Sequence, residues 1–161
     1  MLSVTDRLTG LFNRRKLDQI LDDELIRSRR YAINFSVMII DIDHFKRVND
    51  THGHRVGDTV LEDMAQIMRE CTREADSLAR FGGEEFVMVC RNTELAGCVA
   101  TAEKLREAIA VHDFPAVGRL TASFGAATCR EDDDAVSLLS RADTALYQAK
   151  AAGRNRVESA R

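Results

Sequence analysis

The run "FSVMIIDID", residues 35–43, constrains this chain more than any other stretch. It is apolar and largely β-branched, shows none of the alternation of a half-exposed strand, and turns acidic at its end. Such a run reads as a buried central strand, so the chain must supply helices to cover it. Helical patterns stand on either side of it in sequence. Leu17, Ile20, Leu21 and Leu25 space one over 13–30. Val60, Leu61, Met64, Ile67, Met68 and Cys71 space a second, opening at Asp58 as N-cap. Val99, Ala102, Leu105 and Ile109 mark a third over 94–112, and a last helix over 135–152 stops at Gly153. The runs "LARF" and "FVMVC" make a hairpin with "GGEE" at its tip, because Gly-Gly tolerates the positive φ of tight turns. "RLTASFGAAT" is a further strand. One sheet with helices packed on it accounts for this order.

Composition matches that architecture. With 161 residues, 45% hydrophobic and 30% charged, the chain reads as one folded domain with one core. No apolar run is long enough to span a membrane, and no signal peptide is visible. The four cysteines, Cys71, Cys90, Cys98 and Cys129, form no CxxC pair and sit among apolar neighbours, as reduced core thiols of a cytoplasmic protein do. A net charge of −3 argues against a broad nucleic-acid surface. It leaves room for a small anionic ligand, since Lys150, Arg154 and Arg156 cluster near the end of the chain.

The chemistry is in the acids. Asp41 and Asp43 stand two apart at a strand end and project to one face, with Ile42 opposite. Two carboxylates on one side of a buried strand repel unless a cation neutralises them. Glu84 and Glu85 form a second pair on the hairpin tip, and a hairpin beside the strand would bring three or four carboxylates to one point. Oxygen ligands without His or Cys suit Mg²⁺ or Mn²⁺, and Mg²⁺ held by few carboxylates usually shares substrate phosphates. Lys46, Lys150 and Arg154 could meet those phosphates, which points to metal-assisted phosphoryl or nucleotidyl transfer. Either acidic pair alone is more often simply solvated. The two together, with "HFKRVND" after the first, favour the metal.

These residues carry a resemblance. "DRLTGLFNRR", "DIDHFKRVNDTHGHRVGD", "RFGGEEF", "TASFGAA" and "ADTALYQAKAAGRNR" occur in the order and spacing of the GGDEF domain of bacterial diguanylate cyclases, in its GGEEF form, across nearly the whole chain. The resemblance implies an α+β fold, a central five-stranded mixed sheet surrounded by helices and related to the nucleotide-cyclase palm, with the GGEEF hairpin attached. It implies a single catalytic domain over 1–161, belonging to a longer protein with an upstream sensory or dimerising region. It implies condensation of two GTP molecules into cyclic di-GMP, with release of two pyrophosphates, across a homodimer of domains. Neither nucleic acid nor direct membrane contact is implied.

Carried over by motif, Asp41, Glu84 and the Ile42 carbonyl would bind the metals, two Mg²⁺ or Mn²⁺ per site, with Glu85 assisting. Glu85 stands where other members carry Asp. Glu84 would accept the 3′-hydroxyl proton. Lys46, Lys150, Arg154 and the amides around His44 and Phe45 would hold phosphates. Asn49 and Asp58 would read guanine, with His54 lining the site. One carboxylate can accept from both guanine N1–H and the 2-amino group, whereas adenine leaves a buried Asp58 poorly paired, hence GTP over ATP.

"READ", Arg73 to Asp76, resembles the family's RxxD inhibitory site for the product, with Arg106 as a further contact; its common meaning is an i,i+3 charge pair. Two other functions compete: a non-catalytic module that binds GTP or cyclic di-GMP, and a template-dependent polymerase palm. The first usually lacks an acid that is present here, and the second needs nucleic-acid-gripping regions for which the chain is too short.

Overall fold

The computed structural model describes residues 2–160. In chain order the elements are α1 (Arg14–Tyr31), β1 (Phe35–Ile42), α2 (Phe45–His52), α3 (His54–Cys71), β2 (Ser77–Gly82), β3 (Glu85–Arg91), α4 (Leu95–Val111), β4 (Ala122–Thr128), α5 (Ala135–Ala151) and β5 (Val157–Ser159). The strands form one mixed five-stranded sheet in the order β2-β3-β1-β4-β5. β1 lies at its centre, antiparallel to both β3 and β4, while β5 runs parallel to β4.

Every residue of β1 is buried, as its sequence requires. Its side chains alternate between two cores. Phe35, Val37 and Ile39 pack with Leu17, Leu21 and Leu25 of α1 and Leu138 and Leu146 of α5. Met38, Ile40 and Ile42 pack with residues of α2, α3 and α4. The result is three layers: α1 and α5, the sheet, then α2 to α4. Asp41, odd-numbered like Ile39, emerges on the α5 side.

Local signals explain the helix ends. The Asn13 side chain accepts from Lys16 N at 3.0 Å to cap α1, and Asp134 and Ser137 form a capping box at α5. α3 differs from the sequence expectation. It begins at His54, so Asp58 lies inside the helix rather than capping it. α2 has no side-chain cap and starts from left-handed His44 (φ 57°); burial of Phe45 and Val48 holds it. Cys90 and Cys98 are core thiols as expected, whereas Cys71 and Cys129 are half-buried; all four are free. Among the described residues no helix is long and apolar enough to cross a membrane.

Gly125 allows β4 to meet α5. A Cβ there would stand 2.1 Å from the Ala142 carbonyl oxygen and 2.3 Å from Leu146 N, both backbone atoms. Gly125→Ala should therefore cost about 3 kcal/mol or more, since neither element can yield without opening the core. A thermal melt of that variant, expected to fall by about 10 °C or more, checks the packing.

Candidate active site

The hairpin turn is short. Gly82 pairs with Glu85 across it, leaving Gly83 (φ +47°) and Glu84 as the linking residues. Only Gly83 needs left-handed backbone. A Cβ on Gly82 would meet nothing within 4 Å, so the fold alone does not demand glycine there. Arg80 braces the turn, donating to the Gly83 carbonyl from Nε at 3.0 Å and Nη2 at 2.7 Å. Its Nη1 meets both Asp6 oxygens at 3.3 and 3.4 Å, which ties the "DRLTGL" segment to the hairpin.

This turn stands against the end of β1. Glu85 is the direct cross-strand partner of Asp41, and the Glu84 carbonyl accepts from Ile42 N at 3.4 Å. The Asp41 side chain is buried and ion-paired with Lys150 from the last turn of α5. Burial, the largest cause, raises the pKa of Asp41 above its ordinary 3.8, even with Lys150 opposing. Burial first and Asp41 second raise Glu84 above 4.5, and the same two causes raise Glu85. The three acids thus gather as expected, and the Asp41 charge makes both glutamates harder to ionise.

Asp43 stands beside them but is held differently. It is 3% exposed and accepts from Ser123 Oγ at 2.7 Å, Thr121 Oγ1 at 2.6 Å and Asn155 N at 3.0 Å. These donors take up most of its accepting capacity, so of the four expected acids Asp43 lines the same cavity and raises Asp41 further but is already committed to protein partners. Among the described residues no three His, Cys, Asp or Glu side chains are drawn tightly enough to hold a metal ion by themselves.

Beside the acids lies a cavity of about 460 Å³, lined by Asp41, Ile42, Asp43, His44, Phe45, Lys46, Glu84, Lys150 and Arg154, and also by Arg47 and Asp50. Apart from Lys150, its cationic side chains (Lys46, Arg47 and Arg154) have no hydrogen-bond or ion-pair partner among the described residues. The uncapped start of α2 adds backbone N–H donors to the same wall. A small anion bearing several negative charges would satisfy these groups together. An all-oxygen acidic set whose members resist ionisation, with an ammonium already paired to one of them, fits a hard divalent cation shared with that anion.

Asn49, His54 and Asp58 lie outside the cavity wall. Asn49 packs against Gly57, where an added Cβ would stand 1.9 Å from its Oδ1, so the α2–α3 junction sets its position next to Asp58. Asp58 is exposed, contrary to the buried state invoked for guanine choice. Arg73 and Asp76 form an ion pair away from this cavity. Arg106 does not join it: it contacts Glu103, Glu107 and Asn155 instead. Sequence reading missed Arg47 and Asp50, though both lie in the quoted "HFKRVND".

The raised carboxylate pKa values give a signed pH effect. The folded state binds these protons more tightly than the unfolded chain, so the cluster's contribution to stability falls as pH rises from the ordinary values of 3.8 and 4.5 through the raised ones. A divalent cation should recover that loss. In chelator-treated protein, Mg²⁺ or Mn²⁺ should raise the melting temperature by about 2–5 °C at pH 7 and scarcely at pH 4. An equal shift at both values would separate the cation from these acids.

A five-stranded mixed sheet with helices on both faces, carrying an acidic strand end and hairpin beside a cationic cavity, defines an α+β palm-like domain. Residues 3–156 match the family model described as "Diguanylate cyclase, GGDEF domain". The chain belongs to the GGDEF-domain family. It is 43% identical over 161 residues to diguanylate cyclase DgcP of Pseudomonas aeruginosa, covering 98% of this chain and 24% of that protein. It is 44% identical over 162 residues to the response regulator PleD of Caulobacter vibrioides, covering 97% and 36% respectively. Among solved structures, the GGDEF domain of DgcB from Caulobacter crescentus, in complex with c-di-GMP, superposes with a TM-score of 0.95 at 33% identity. That match covers 99% of this chain and 96% of the other. The chain therefore spans only about a quarter to a third of the two curated relatives.

Proposed function

We propose that this domain is a diguanylate cyclase that condenses two GTP into cyclic di-GMP and two pyrophosphates. The observation that carries the reading is the meeting of Asp41 and Glu84 with unpaired Lys46, Arg47 and Arg154 around one cavity. We assign residues 1–161 the part of a single catalytic domain, acting in the cytoplasm as a homodimer in which each domain holds one GTP. Neither nucleic acid nor membrane contact belongs to this reading.

Asp41, Glu84 and the Ile42 carbonyl would hold two Mg²⁺ or Mn²⁺, with Glu85 in support. When bound, the cations neutralise phosphate charge and favour the ionised 3′-hydroxyl. Lys46, Lys150, Arg154 and the amides of His44 and Phe45 hold the triphosphate and later the departing pyrophosphate. Glu84, its proton affinity raised by burial and by Asp41, takes the 3′-hydroxyl proton. The hydroxyl oxygen bonds to the α-phosphorus of the facing GTP as the bond to the bridging oxygen breaks and pyrophosphate leaves. The reciprocal attack closes the ring. Asn49 and Asp58 read guanine, with His54 beside them; Asp58 becomes buried only under the base. The bare Gly82 lets the phosphates approach the hairpin backbone.

Arg73 and Asp76 are proposed as the inhibitory product site. Arg106 is left out of it because of the contacts given above. A binding-only module is the weaker reading, since Asp41, Glu84 and Glu85 are all present.

Incubation with GTP and Mg²⁺, followed by chromatography and mass determination, should yield cyclic di-GMP. Tight GTP binding without product at high protein concentration would overturn the catalytic reading. In the same assay Asp58→Ala should lower the preference for GTP over ATP by about 10²-fold or more. An unchanged preference would remove Asp58 from base recognition.

A further inference from the structure

The backbone that presents Arg154 is strained. Gly153, Arg154 and Asn155 follow one another at φ +122°, +65° and +47°. Glycine adopts such values freely; arginine and asparagine hold them only where their surroundings compel it. The Arg154 N–H donates to the Ala149 carbonyl at 2.9 Å, and its carbonyl accepts from Arg156 Nε at 3.2 Å. Asn155 is held from two sides. Its N–H donates to Asp43 Oδ2 at 3.0 Å, and its Oδ1 accepts from Arg106 Nη1 at 3.1 Å.

Both anchors are themselves fixed. Asp43 is gripped by the hydroxyls of Thr121 and Ser123, and Arg106 donates from Nε to Glu103 at 3.0 Å along α4. The turn after β1 and α4 thus converge on one residue, while the guanidinium of its neighbour Arg154 has no described partner and lines the cavity. The turn closes the end of α5 and leads into β5, and it also aims a cation.

Resting on the triphosphate reading of that cavity, we propose that Asp43 and Arg106 are positioning residues which, through Asn155, hold the left-handed turn and so fix Arg154 against the substrate phosphates. Arg106 lies off the cavity wall, and the Asp43 carboxylate on that wall is taken up by Thr121, Ser123 and Asn155. The second aspartate of "DID" thereby serves the scaffold of the phosphate site, and Arg106 belongs to the support of the active site.

The test is calorimetric titration with Mg²⁺ and a non-hydrolysable GTP analogue, and separately with guanosine. Arg106→Ala should weaken the analogue about tenfold and leave guanosine unchanged, because phosphate contacts suffer and base contacts do not. Arg106→Lys, which keeps one donor, should restore most of the affinity. Asn155→Gly keeps the N–H to Asp43, relaxes the dihedral and removes the Oδ1 acceptor. It should match Arg106→Ala, and the double variant should bind no more weakly than either single one.

Wild-type affinity in Arg106→Ala, additive losses in the double variant, or an equal loss for guanosine would overturn the positioning role. Absence of analogue binding by the wild-type domain would instead overturn the triphosphate reading, and this inference with it. Should Arg106→Ala melt early, the lysine and glycine variants carry the same comparison.

Discussion

Glu84→Gln and Asp41→Asn should each reduce cyclic di-GMP formation by about 10²–10³-fold or more, with the fold retained. Both changes keep side-chain volume and remove the charge. At Asp41 the carboxylate is buried and opposes ionisation even with Lys150 beside it, so the ligand-free domain holds it at a cost. Asparagine lowers that cost but leaves Lys150 without its counter-charge, so the melting temperature should change little while turnover collapses. Glutamine at 84 cannot accept a proton, and it relieves the repulsion that Asp41 exerts there. Its melting temperature should hold or rise by a few degrees. Rate assays paired with thermal melts read both effects. An active Asp41→Asn enzyme would dismiss the strand-end acid from the chemistry, whatever the hairpin does.

Arg73→Ala should abolish inhibition by added cyclic di-GMP, shifting the inhibition constant by more than about tenfold and leaving the uninhibited rate within about twofold. The geometry holds Arg73 in a fixed orientation. Asp76 Oδ2 and Oδ1 accept from its Nε and Nη2, each at 3.0 Å, and the Asp76 side chain has no exposed surface. Thr93 Oγ1 accepts from Nη2 at 2.8 Å. The guanidinium is therefore locked in one plane, yet its side chain is 58% exposed, leaving a face and Nη1 for a base or phosphate. Removing it strands the buried Asp76, so a stability loss of about 1–3 kcal/mol should accompany the change. Arg73→Lys should not rescue inhibition, because an ammonium cannot replace the planar fork. Initial rates measured against added product decide the matter, and a wild-type inhibition curve in Arg73→Ala would return the READ tetrapeptide to an ordinary ion pair.

Much of the site was legible before any coordinates. The unbroken apolar run placed β1 at the centre of the sheet, and Gly-Gly between two strand-like runs placed Glu84 and Glu85 on a turn. The failures share a cause. α2 lacks a side-chain cap, begins at a left-handed histidine and is only eight residues long, so burial of Phe45 and Val48 makes it helical rather than any local preference. The start of α3 was set too late, because Asp58 resembles an N-cap while Gly53, which carries no capping side chain, marks the true start. Arg106 was placed by its position in the chain, but the partner that a long flexible cation finds depends on what packs beside its helix.

Periodicity and turn chemistry, acting between near neighbours, determined the order of the strands and helices other than α2 and β5, the burial of β1 and the acidic character of its end. The tertiary structure alone decided which acid meets which cation. Asp41 and Asp43 are indistinguishable as residues and line one cavity, yet one pairs with Lys150 and the other accepts from Thr121, Ser123 and Asn155. A carboxylate's role follows from the donors within about 3 Å of it, and here those donors come from distant parts of the chain, brought there by packing of the sheet against α5 and the segment that follows it.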